Sequence, residues 1–280
     1  MKEAEAKLLD LKEKFEKYYG FQDVDIFGNT VLKDMLYPTL PVREYDNFFK
    51  WCNIIQLLLV NKFVNIKGYR ILDAGCGNGQ DLRKFIELGA KSSNCYGIDF
   101  AENAIDFARE NSPSGVTYKA ANFDETGFED DFFDIVVSFN TIVNFKDDEY
   151  LKKINDEFRR IIKGNGMLLL ICAISADAQN KEGFIKIPVR IFTLDEVQRL
   201  FPDFTLRNVL NGSANIPMPS GGTINAGSNT IDLKAFSNLY SSLHGNNDYR
   251  AFYVEGAVKH LCSGLGIMDS SAKLMAFSAK

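Results

Sequence analysis

The residues best placed to do chemistry fall in one stretch, Asp73-Ala74-Gly75-Cys76-Gly77-Asn78-Gly79. Three glycines at alternating positions let the backbone turn tightly and approach a ligand with no Cβ in the way. The plainer alternative is a tight strand-to-helix turn with no ligand. A dinucleotide fingerprint, G-x-G-x-x-G, needs its third glycine at position 80. That residue is Gln80, and the pattern reads G-x-G-x-G with a carboxylate two residues ahead. Asp73 would repel a pyrophosphate and attract a cation. It could equally cap backbone amides inside the glycine turn, and the two roles are compatible, since an isolated buried carboxylate is costly. A second acid, Asp99, stands twenty residues after Gly79.

The elements that position these residues follow from periodicity. Tyr69-Arg70-Ile71-Leu72-Asp73 reads as a short apolar strand, and 80–88 as a helix closed by Gly89. Residues 95–99 form a second strand, with a helix after it that Pro113 breaks. Residues 116–120 form a third strand. Residues 133–139 form a fourth, continuously apolar as in a strand buried on both faces. Asp147 or Asp148 caps a helix with Leu151, Ile154, Phe158 and Ile161 on its inner face. Gly164-Asn165-Gly166 turns into a fifth strand, Met167 to Ile174. Strands alternating with helices make an α/β fold, a parallel sheet with helices on both faces. Ligands bind such a sheet beyond the carboxyl ends of its strands, where strand order reverses. Function is therefore expected just after residues 73, 99, 120 and 139.

Two amphipathic helices precede the first strand. One covers residues 1–19, with Ala4, Leu8, Leu11, Phe15 and Tyr18 on one face; the other covers 43–63. They form either a lid over a site or plain packing. Downstream, Thr193 begins a helix, and Phe204 to Leu210 reads as a sixth strand. Residues 211–230, rich in Gly, Asn, Ser and Pro, read as a long loop. Residues 233–243 and 249–261 read as helices, and 273–278 as a closing strand. This divides the chain into an N-terminal helical cap, 1–67, and a main domain, 68–280, with an insertion at about 211–265.

The 280 residues carry 37 acids against 32 bases, a formal charge of −5. That balance disfavours a general nucleic-acid or anionic-membrane binder, which needs a basic surplus. Apolar content of 46% and charged content of 25% exclude collagen-like, disordered and disulfide-scaffold classes. The five cysteines are scattered, with no C-x-x-C, and fit reduced intracellular thiols better than a zinc site. The charged N-terminus does not resemble a secretory signal, and the longest apolar run is about a third of a membrane span. A cytoplasmic protein is expected, with no metal and no membrane partner.

Ile71 to Gly79 resembles the first motif of the class I S-adenosylmethionine-dependent methyltransferases. The resemblance runs from about residue 69 to 174, more weakly to 210. It implies a Rossmann-like doubly wound sheet of seven mostly parallel strands, with an N-terminal helical lid and a helical or loop insertion after strand six. It implies S-adenosyl-L-methionine as cofactor and S-adenosyl-L-homocysteine as product. By the same resemblance, Asp73, Gly75, Cys76, Gly77 and Gly79 hold the methionine end. Asp99 takes the ribose hydroxyls, Phe100 flanks the adenine, and Asn122, Phe123 and Phe139 complete the site. Asn122 stands where the family usually carries Asp, and Asn165 where proline is common. The charge argument agrees independently, because the sulfonium and α-ammonium of that cofactor are cationic.

The acceptor side is less marked. Phe139-Asn140-Thr141-Ile142 lacks the Pro-Pro box of amino-group methyltransferases acting on adenine or glutamine. Asn140 and Asn144 are candidate acceptor contacts or loop hydrogen-bonders. Tyr18, Tyr19 and Tyr37 line a lid or pack. His260, on an apolar face, is a candidate base or a structural histidine. These readings give a methyltransferase acting on N or O of a small molecule, as monomer or homodimer. Protein methylation and a noncatalytic cofactor-binding scaffold are the alternatives.

Overall fold

The computed structural model describes residues 2–20, 41–175, 178–182, 187–211, 223–226, 229–232 and 272–280. In chain order these form helices α1 (Lys2–Gly20) and α2 (Pro41–Val60) and strand β1 (Ile71–Ala74). Next come α3 (Gln80–Glu87), β2 (Cys95–Asp99), α4 (Glu102–Glu110), β3 (Thr117–Ala120) and β4 (Phe133–Phe139). Then follow α5 (Asp148–Ile161), β5 (Ile162–Ala173), β6 (Gln179–Glu182), β7 (Pro188–Ile191) and α6 (Leu194–Leu200). Last are β8 (Phe204–Asn211), β9 (Thr223–Ala226), β10 (Asn229–Asp232) and β11 (Ala272–Ala279).

All four residues of β1 are buried, as are all of β4 except Asp134. Such strands must be covered on both faces, so they lie mid-sheet. The main sheet runs β3-β2-β1-β4-β5-β11-β8. β1 pairs in parallel with β2 and β4, β2 with β3, and β4 with β5. Strand order reverses between β1 and β4, which opens a crevice at their carboxyl ends. Leu151, Ile154, Phe158 and Ile161 are the buried apolar face of α5, and Asp147 caps it by accepting from the Glu149 amide. α6 begins with a capping box between Thr193 and Glu196.

Three segments differ from the sequence reading. The Gly164-Asn165-Gly166 turn lies inside β5: pairing moves from Phe133↔Ile162 to Ile135↔Met167, two residues on β4 against five on β5. The glycines let the strand bulge outward without leaving the sheet. The end of the stretch 211–230, read as loop, instead enters the antiparallel pair β9 and β10, with Ile224 opposite Ile231. Two residues separate these strands, and β-branched Thr and Ile recur along them, so a local hairpin outweighs the polar composition. The pair β6 and β7 was also not anticipated. The helices read at 233–243 and 249–261 lie outside the described residues.

The chain divides into two compact units. One comprises Met1–Phe21, Ile55–Leu210 and Lys273–Lys280 and carries the main sheet with α1. The other comprises Gln22–Ile54 and Asn211–Ala272, with the first part of α2 and the β9–β10 hairpin. Among the described residues no helix is long and apolar enough to cross a membrane.

Candidate functional site

The glycine stretch leaves β1 as a loop fastened to β2. Gly75 and Cys76 amides both donate to the Ile98 carbonyl, at 2.8 and 3.0 Å. Gly75 has φ 90° and Gly79 φ 77°, in the left-handed region that side chains avoid. Space enforces the same choice. A Cβ on Gly75 would lie 2.1 Å from Thr141 Oγ1, and one on Gly79 would lie 2.3 Å from the Tyr118 hydroxyl. The loop is thus gripped from above by the chain after β4 and from below by β3. The Tyr118 hydroxyl and Ser112 Oγ share a 2.8 Å hydrogen bond, while Arg83 donates to the Asn78 carbonyl at 2.7 Å.

Two carboxylates stand at the strand tips, Asp73 (2% exposed) and Asp99 (5%). Asp99 Oδ2 accepts from the Gly77 amide and Oδ1 from the Ala101 amide, each at 3.0 Å. Burial pushes the Asp99 carboxyl up to about 6, against the lowering effect of the Ala101, Gly77 and Phe100 amides, and the Glu16 carboxylate adds to the rise. A carboxylate can accept about four hydrogen bonds. The Gly77 and Ala101 amides take one site on each oxygen and the Phe100 amide adds to them, so Asp99 retains capacity for a sugar hydroxyl. Burial, then Asp73 and Asp99, push the Cys76 thiol up, so it is no thiolate nucleophile.

An aromatic wall flanks the acids. The Phe100 ring meets Phe15 of α1 edge-on at 5.3 Å and Phe123 at 5.6 Å. Phe145 meets Phe123 at 5.7 Å and Tyr150 at 5.0 Å. Phe123 is buried, so its ring belongs to the wall, while the Asn122 side chain is exposed. The α4 helix begins at Ala101, which has no capping side chain. Glu16 supplies the cap from α1: its carboxylate accepts from the Glu102 and Asn103 amides at 2.5 and 3.4 Å, and its carbonyl accepts from Asn103 Nδ2. One helix thereby seats a ring on Phe100 and a charge beside Asp99.

At the tip of β4, Phe139 is buried and Asn140 is exposed with φ 57°, a left-handed geometry Asn tolerates. The Asn140 amide donates to Ile171 O at 2.8 Å, and its carbonyl accepts from Asn144 Nδ2 at 3.2 Å. The structure therefore places Asp73, Gly75, Cys76, Gly77, Gly79, Asp99, Phe100, Asn122, Phe123, Phe139, Asn140 and Asn144 at or just beyond the carboxyl ends of β1 to β4. Tyr18 and Tyr19 lie in the last turn of α1; Tyr37 and His260 fall outside the described residues. Thr141, Tyr118 and Glu16 carry no motif, and their roles exist only through contacts distant in sequence. Among the described residues, no cluster of His, Cys, Asp or Glu could hold a metal ion.

Residues 72–170 match the family model described as "Methyltransferase domain". The chain is 31% identical over 107 residues to a demethylmenaquinone methyltransferase from Staphylococcus aureus, covering 38% of this chain and 43% of that one. It is 30% identical over 129 residues to a malonyl-[acyl-carrier protein] O-methyltransferase from Buchnera aphidicola, covering 45% and 48%. The chain thus spans about half the length of the curated relatives it matches. Its fold is shared with geranyl diphosphate C-methyltransferase from Streptomyces coelicolor, solved with Mg2+, geranyl diphosphate and S-adenosyl-L-homocysteine. That likeness has a TM-score of 0.59 at 14% identity and covers 96% of this chain and 98% of the other.

Proposed function

We propose that this chain, a class I S-adenosylmethionine-dependent methyltransferase over residues 72–170, methylates a nitrogen or oxygen atom of a small molecule. One observation carries the cofactor assignment: the left-handed glycine loop is tied by the Gly77 amide to a buried Asp99 at the sheet's point of reversal. The residues fit the group. The loop backbone and Asp73 suit the cationic methionine end. Asp99 suits the ribose hydroxyls, Phe100 the adenine face, and the exposed Asn122 oxygen with the Phe123 amide the adenine edge.

Held by the glycine loop, Asp73 and Asp99, such a cofactor would supply an electrophilic sulfonium methyl to the acceptor's lone pair and would leave as a neutral thioether. The leaving group is neutral, so the chain has little charge to stabilise. Its task is alignment, which can supply about 7–11 kcal/mol. Asn140, exposed and in a left-handed conformation at the β4 tip, is the candidate acceptor contact. The net charge of −5 and the absent Pro-Pro box favour a free metabolite in the cytoplasm over nucleic acid, with the protein acting as monomer or homodimer.

Calorimetric titration with S-adenosylmethionine tests the first half: binding is expected, with a loss of at least about tenfold in Asp99→Ala. Equal affinity in that variant removes Asp99 from the site. Slow cofactor turnover accelerated by a metabolite pool, and not by protein or RNA, tests the second half.

A further inference from the structure

We infer that α1 is a gate on the nucleoside half of the crevice: seated as it is, it shuts off Phe100 and Asp99, and it must lift for the cofactor to enter. That α1 covers these groups belongs to the fold; that the ligand kept out is S-adenosylmethionine rests on the methyltransferase reading above. Exposure divides the crevice. On the side suited to the methionine end, Gly75 and Thr141 are half-buried and Asn140 is exposed. On the side suited to adenosine, Asp99 and Phe100 are each 5% exposed.

Three rings pack on Phe100. Phe123 and Phe145 are buried members of the core. A close-packed core does not part for a ligand by small shifts. The third ring, Phe15 at 5.3 Å, is carried by α1, and α1 is held lightly. Among residues 6–17 only Leu11 is buried, while Leu8 and Phe15 are half-buried and Leu9 is 59% exposed. The helix α5, by contrast, buries Leu151, Ile154, Phe158 and Ile161. Elements with few buried apolar contacts are the ones that open at least cost.

The polar fastening of α1 is gathered on the first turn of α4. The Glu16 carboxylate accepts from the Glu102 and Asn103 amides, and the Glu16 carbonyl accepts from Asn103 Nδ2 at 2.7 Å. Lys12 stands 3.7 Å from the Glu102 carboxylate, an exposed pair that adds little. The amide just before these, on Ala101, is held by Asp99. Two carboxylates therefore share one turn: Glu16, which fastens α1, and Asp99, which is offered to the ribose. Phe15 and Glu16 are adjacent in sequence, so one displacement of α1 uncovers the Phe100 ring and frees the turn beside Asp99.

Surface plasmon resonance on the immobilised full chain, with S-adenosylmethionine as the analyte, reads the association and dissociation rates separately. Phe15→Ala and Glu16→Gln loosen α1 through different contacts. Each is expected to raise the association rate constant at least about threefold. Leu9→Ala, on the exposed side of the same helix, should leave it unchanged. The Glu16 variant is the sharper of the two, because losing a carboxylate would by charge steering alone slow a cationic ligand. A residue that only touches the bound cofactor would instead speed dissociation and leave association alone. Unchanged association in both variants, or faster dissociation alone, overturns the gate. If binding to the wild-type chain is nonetheless lost in Asp99→Ala, the cofactor site survives that failure. No binding to the wild-type chain or to either variant removes the cofactor site, and the gate with it.

Discussion

Asp99 is asked to be ionised where burial opposes it. Its ordinary carboxyl value is 3.8, and in the fold it is pushed up to about 6. Between those values the folded chain holds the proton more tightly than the unfolded chain. The Asp99 contribution therefore lowers stability as pH rises through about 4 to 6, and that cost is complete above 6. Accepting a ribose hydroxyl favours the ionised form. S-adenosylmethionine affinity is then expected to be flat above about pH 6.5 and to fall toward tenfold per unit well below 6. Binding near pH 5.5 should release a proton, seen as a buffer-dependent heat in calorimetry. A flat profile down to pH 5 would remove Asp99 from the ribose. Gly75 gives a second prediction at this scale. Gly75→Ala must tolerate φ 90° and a Cβ overlapping Thr141, so a loss of about 1–3 kcal/mol in denaturant unfolding is expected. Thr141→Gly in that background should recover the part due to overlap and not the part due to φ.

At the scale of elements, α1 is fastened by Glu16. Removing that carboxylate takes the cap from α4, which costs about 1 kcal/mol. It also removes a charge that raises Asp99. Glu16→Gln is thus expected to speed amide exchange at Glu102 and Asn103 and to move the midpoint of the pH–affinity profile lower. Faster exchange with an unmoved midpoint would confine Glu16 to capping. Little of this coupling was legible in the sequence. The apolar spacing of Leu8, Leu11 and Phe15 announced a helix, but nothing local says that Phe15 meets Phe100 across the chain. The strands and the order of motifs from 71 to 139 were legible because period and turn chemistry are local signals. The β9–β10 and β6–β7 hairpins were hidden because four-residue strands of mixed polar composition are too short to show a clear alternation. Thr141 against Gly75 and Tyr118 beneath Gly79 were hidden because a contact between loops leaves no spacing to read. The glycines themselves did announce that something must come close.

At the scale of the molecule, the reversal of strand order between β1 and β4 gathers the glycine loop, Asp99 and the β4 tip from separate parts of the chain into one unit. Ligand binding and that unit's stability are therefore linked, since S-adenosylmethionine binds only where these loops are assembled. At a free concentration about a hundredfold above Kd, the ligand stabilises the folded state by about 2.7 kcal/mol. For a unit of this size that is a rise of about 5–10 °C in Tm. Scanning calorimetry should show the rise in the transition of the unit that contains Ile55–Leu210. A separate transition of the other unit, which holds none of the proposed cofactor contacts, should stay where it was. Asp99→Ala should melt near the wild-type temperature without ligand and lose most of the rise with it. An unchanged wild-type trace at that concentration, or an equal rise in the variant, would place the cofactor elsewhere than the crevice between β1 and β4.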